Sequence, residues 1–155
     1  MVVTPQGWLN PARLRRAISD CSHFGSELDL VKELLGQGVA PDIPDGYGFT
    51  PLIHAIRSPY TLMVKTLLAA GVNPNHQEDW GYMPLRYAAF NHVSSEMTKM
   101  LLSYGADPNL KDKSGQTPLF MAVLSVNSAA IELLLDGGAS VPCNGCCGWY
   151  AIIFG

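Results

Sequence analysis

Three stretches of this chain repeat one another at a nearly constant interval, and that regularity limits the architectures open to it more than any other property. "GFTPLIHA" begins at Gly48, "GYMPLRYA" at Gly81 and "GQTPLFMA" at Gly115, in steps of 33 and 34 residues. A second marker keeps the same interval: "LLGQG" from Leu34, "LLAAG" from Leu67, "LLSYG" from Leu101 and "LLDGG" from Leu134, in steps of 33, 34 and 33. A third runs alongside, as "GVNPN" at Gly71, "GADPN" at Gly105 and the looser "GVAPD" at Gly38. Three markers sharing one period make a chain of similar units, each expected to lean on its neighbours.

The residues of one unit say what it should look like. Thr50 and Thr117 stand directly before Pro51 and Pro118, the order of an N-cap followed by proline at the first helical position. Leu52 and Ala55, Leu85 and Ala88, and Leu119 and Ala122 fall three apart, giving a short first helix one narrow apolar face. A second helix follows, with Val64, Leu67 and Leu68 recurring as Met97, Met100, Leu101 and Leu102, then as Ile131, Leu134 and Leu135. Gly71, Gly105 and Gly138 come next, where a left-handed residue is expected to end the helix. Asn75 and Asn109 lead into a polar loop before the next unit. Helix pairs this short cannot bury their apolar faces alone, so the units must stack.

Two units depart from the pattern. In the third, Met83 replaces the capping Thr, removing a side-chain acceptor worth about 1 kcal/mol. The extra residue of that unit is expected in "FNHVSS", between its two helices. The first unit reads as a cap. Asn10 precedes Pro11, Leu9 and Leu14 form a hydrophobic staple, and Ser26 with Asp29 makes a near capping box. Leu14, Ala17, Ile18 and Cys21 form its buried stripe, while Arg13, Arg15 and Arg16 are expected to face water.

With these motifs together, the chain resembles the ankyrin-repeat family from about Asn10 to its end. The resemblance implies an all-α solenoid of stacked helix-turn-helix units with projecting hairpin loops. Residues 1–9 are an extension and 10–44 a capping unit; 45–77, 78–111 and 112–144 are repeats, and 145–155 is an incomplete one. The family's TPLH is intact in no unit: Ile53, Arg86 and Phe120 occupy the histidine position, and His54 is shifted by one. Family members bind partner proteins through loop tips and the exposed residues of each first helix, on a concave surface. Carried over residue by residue, the resemblance implies contact positions at Tyr47, Phe49, Arg57 and Ser58 in the second unit. In the third they are Asp79, Trp80, Tyr82, Phe90 and Asn91. In the fourth they are Lys113, Ser114, Gln116, Leu124 and Ser125. Tyr47, Phe49, Trp80, Tyr82 and Phe90 give the second and third sets an aromatic character suited to interfaces. Packing between adjacent loops is the alternative role for these rings.

Other chemistries find little support. A net charge of −3 argues against nucleic acid as a main partner. No stretch approaches the about eighteen apolar residues of a membrane span, and the N-terminus lacks a signal-peptide pattern. The four cysteines, Cys21, Cys143, Cys146 and Cys147, are too few and too bunched for a disulfide scaffold. Cys143 and Cys146 have zinc-like spacing, but a second ligand pair is missing, so no metal and no cofactor are expected. His23, His54, His76 and His92 lie on different units and read as ordinary turn residues, so no enzyme is expected.

At the other end, "GWYAI" from Gly148 falls in the register of "GQTPL". A longer parent that continues the stack, a degenerate short cap and a partner-docking end all fit this register. The fourth unit's end face, around Leu119, Ile131 and Leu135, is expected to be apolar and to invite self-association. The reading is an interaction scaffold or adaptor, in the cytoplasm or the nucleus. The alternative is the substrate-recognition arm of a cullin-type ubiquitin ligase receptor, lacking its docking box.

Overall fold

The computed structural model describes residues 11–19, 26–58, 60–90 and 95–141, and within them it forms eight helices. In chain order these are α1 (Pro11–Ser19), α2 (Ser26–Gly36), α3 (Pro51–Arg57), α4 (Thr61–Ala69), α5 (Pro84–Phe90), α6 (Ser95–Ser103), α7 (Pro118–Leu124) and α8 (Ser128–Asp136). Successive helices pair as hairpins, α1 with α2 through to α7 with α8. The first helices pack side by side in one row, α1 on α3, α3 on α5 and α5 on α7. A second row runs α4 on α6 and α6 on α8. The result is an all-α repeat solenoid.

Local chemistry sets where each helix begins and ends. The Thr50 hydroxyl accepts the N–H of Ile53 and the Thr117 hydroxyl that of Phe120, both at 3.4 Å. Met83 cannot do this, and it is instead almost wholly buried, at 1% exposure, among the core side chains. The lost cap is offset by burial, which stabilises a side chain of this size by about 2 kcal/mol. Gly38, Gly71, Gly105 and Gly138 carry φ between +82° and +88° after α2, α4, α6 and α8. There the left-handed residue lets the chain turn without a Cβ clash.

One core runs the length of the stack. Leu52, Leu85, Ala88 and Ala122 of the first helices and Val64, Leu67, Leu101 and Leu134 of the second are fully buried. Small Ala88 and Ala122 let α5 and α7 approach closely. Leu14, Ala17 and Ile18 bury the α1 stripe, whereas Leu9, Asn10 and Cys21 lie outside the described residues. Three residues separate α3 from α4 (58–60) and α7 from α8 (125–127), but four separate α5 from α6 (91–94), which locates the extra residue.

Two expectations need correction. Arg15 does not simply face water, because its Nη1 donates to the Pro44 carbonyl at 2.9 Å and ties α1 to the following loop. Leu119 is not part of an open end face: α7 packs between α5 and α8, leaving Leu119 only 3% exposed. Ile131 and Leu135 are half-buried.

Candidate protein-binding site

The loops before α3, α5 and α7 are each organised by one carboxylate. Asp45 Oδ1 accepts the N–H groups of Tyr47 and Phe49 at 2.9 and 3.0 Å. Glu78 accepts those of Trp80 and Tyr82 at 3.0 and 2.7 Å, and Asp112 Oδ1 those of Ser114 and Gln116 at 2.8 and 2.9 Å. The backbone closes the same loops, with Asp45 N–H on Phe49 O, Glu78 N–H on Tyr82 O and Asp112 N–H on Gln116 O. These acids stand three residues before Gly48, Gly81 and Gly115 and keep the same period. That spacing marks them in the sequence as a fourth periodic feature, beside the three markers that define the units.

The choice of Asp or Glu has a consequence. Glu78 spends one oxygen on each N–H, whereas Asp45 and Asp112 satisfy both with Oδ1 and keep Oδ2 free for a side chain. Asp45 Oδ2 meets His54 Nε2 at 2.9 Å, and Asp112 Oδ2 lies 3.2 Å from Arg86 Nε. Burial pushes the Asp45 carboxyl up, but the Tyr47 N–H, His54 and the Phe49 N–H outweigh it, so it sits below the usual carboxylate range. Arg86 and Asp112 form a close ion pair whose N–H is not aligned on the oxygen, with the Asp112 side chain fully buried.

Above these carboxylates lies a cluster of rings. Phe49 has its centroid 5.6 Å from His54, 6.1 Å from Trp80 and 6.4 Å from Tyr87, all tilted. Tyr87 meets Tyr82 edge-on at 6.1 Å. Arg57 lies over the Phe49 ring at 5.2 Å, and Arg86 over Tyr82 at 3.4 Å. Burial, aided by the charge of Glu78, pushes the Tyr87 phenol up to about 12. The hydroxyl is therefore neutral at any physiological pH.

The loops also touch. Gly48 and Gly81 have φ of +80° and +81°. A Cβ on Gly48 would lie 2.9 Å from Asp79 N, and one on Gly81 only 2.7 Å from Lys113 N. Only glycine fits either position. Asp79 N–H reaches Tyr47 O at 3.4 Å, and Lys113 Nζ donates to Asp79 O. Behind them Gln77 donates to Gly81 O and Lys111 O, both at 2.8 Å, and His76 Nε2 lies 3.0 Å from Gly48 O.

The contact positions implied by the resemblance fall into groups. Tyr47 is 65% exposed, Phe90 55% and Trp80 51%; Arg57, Asp79, Lys113 and Ser114 are also exposed. Phe49, Tyr82 and Gln116 are half-buried. Ser58 turns back on its own helix, its Oγ donating to His54 O at 3.3 Å. Leu124 is exposed, and Ser125 donates to Ala89 O at 3.4 Å, which brings the ends of α5 and α7 together. Asn91 lies outside the described residues, as do His23, His92 and the Cys143–Cys146 pair. His54, Tyr87 and Arg86 are not among those contact positions, yet His54 and Arg86 join the rings to Asp45 and Asp112, and Tyr87 links Phe49 to Tyr82. His54 is a residue of α3 held by Asp45, not a turn residue.

Among the described residues no group of His, Cys, Asp and Glu could hold a metal ion, and no helix is long and apolar enough to cross a membrane. A comparison with curated proteins finds no match. The family model for ankyrin repeats (3 copies) matches residues 17–112 and 59–145. Together these two spans run from residue 17 to 145 and take in α2 to α8 with the loops between them. The chain belongs to the ankyrin-repeat family, whose stacked units serve as protein-protein interaction modules.

Proposed function

We propose that the protein binds its partner through the ring-bearing face of the second and third units, centred on Trp80, Tyr47 and the half-buried Phe49. The observation that carries this reading is the exposure of Trp80 and Tyr47 on loops whose N–H groups at these positions are held by Glu78 and Asp45. Large rings held half in water are costly to leave bare and productive to cover, which is the usual character of an interface anchor. Phe90 and Leu124, at the last positions of α5 and α7, are further exposed apolar side chains on the first helices. A receptor arm of a cullin-type ubiquitin ligase would use this face for its substrate, so the reading does not depend on the larger assembly.

Affinity capture from cell lysate with the full chain and its Trp80→Ala variant tests the proposal. Among the rings of the described residues Trp80 touches only that of Phe49, so its removal should cost about 0.5–1.5 kcal/mol of stability and about 2–5 °C in Tm. The captured partner should disappear while the fold survives. Undiminished capture by the variant, alongside a large loss of stability, would show the ring to be structural.

A further inference from the structure

Arg57 ends α3, and its side chain runs back to lay the guanidinium over the Phe49 ring, 5.2 Å from the centroid. Its side chain is exposed, and no carboxylate among the described residues forms an ion pair with it. The acids of the neighbouring loops are already engaged. Asp45 is held by two N–H groups and His54, Glu78 by two N–H groups, and Asp112 by two N–H groups and Arg86. Asp79 is exposed, with Oδ1 packed against the Gly48 backbone. Most of the local negative charge therefore turns inward, and a positive fork faces out.

A guanidinium 5.2 Å above a ring is held there by cation–π attraction, and its N–H donors stay available to take a carboxylate with two parallel hydrogen bonds. The flanking Trp80 and Phe49 rings would exclude water from such a pair and strengthen it. A basic segment would meet Arg57 with like charge. A polyanion such as nucleic acid is disfavoured by the net charge of −3.

We propose that the partner presents a short acidic segment, placing an Asp or Glu carboxylate on the Arg57 guanidinium and a neighbouring apolar or aromatic side chain on Trp80. This assignment rests on the ring face being the binding surface, and its test separates the two.

The probe is a phage-displayed random peptide library, about twelve residues per insert, selected on the full chain. Selected peptides should carry Asp or Glu beside Leu, Phe or Trp. The best of them, synthesised and labelled, should lose affinity by about tenfold or more with Arg57→Gln. Arg57→Lys should lose less, Trp80→Ala should also weaken binding, and affinity should fall with added salt. Unchanged circular dichroism and thermal unfolding establish that Arg57→Gln folds. Neutral peptides that need Trp80 but not Arg57 would overturn the acidic assignment and leave the surface standing. Peptides indifferent to both residues would overturn both. A single-stranded oligonucleotide that competes equally well, or a selection that enriches nothing, would also count against the proposal.

Discussion

Val126 shows how much a single backbone angle matters. It is the one non-glycine among the described residues with positive φ, at 56°, and its side chain is 79% exposed. A β-branched residue is strained in the left-handed region, at a cost of about 1–3 kcal/mol. The turn needs that angle, since Val126 N–H returns to Val123 O and Asn127 N–H to Ala122 O to close α7. Asn127 then caps α8 through its Oδ1 on Ala130 N–H and donates to Ala89 O. Because the Val126 side chain buries little, Val126→Asn should raise stability by about 1 kcal/mol, measured by chemical denaturation. A less stable variant would mean that the side chain makes contacts beyond its own turn. Nothing in the sequence marked this strain, because the φ of a residue is set by the turn around it and not by its own type.

At the scale of the element, the asparagines after the second helices form a ladder. Asn75 Nδ2 donates to Gly105 O and its Oδ1 accepts Asp107 N–H; Asn109 does the same with Gly138 O and Ser140 N–H. Each side chain thus joins two units by one bond in each direction. The first unit has Asp42 in this place, the loosest of its three sequence markers. Its carboxylate accepts Asn73 N–H at 2.9 and 3.2 Å but has no hydrogen to give to Gly71 O. Asp42→Asn should complete the rung and add about 0.5 kcal/mol, at the low end for an exposed bond. Denaturant midpoints of the two proteins check it, and a lower midpoint for the variant would sink it. The helices themselves were readable from Thr-Pro, the apolar spacing and the terminal glycines, since these act within one turn. The Asp45–His54 and Arg86–Asp112 pairs were not, because each joins a loop to a helix face that only folding brings together.

For the whole molecule, stability passes from unit to unit through the core and the loops, as in other quasi-linear stacks. Gly81 sits at such a junction, with Lys113 N where a Cβ would go. Gly81→Ala should cost about 2–4 kcal/mol, through positive φ and the steric clash together. It should also loosen the third unit from the fourth. Hydrogen exchange would then show α7 and α8 opening independently of α3 and α4; uniform protection loss across all helices would argue that the junction is not a separate seam. The stack and its order were legible from periodicity, because every unit repeats the same local solution. The surface that meets a partner was legible only as a set of positions, since Phe49 and Trp80 belong to different units and acquire their common face from the stacking. Glu78 gives this face a further property. With both its oxygens on backbone N–H groups and only 3% of its surface exposed, it fixes the third loop before anything arrives. A ligand landing there should find little conformational entropy left to remove from the loop, so association should proceed nearly as a rigid-body encounter.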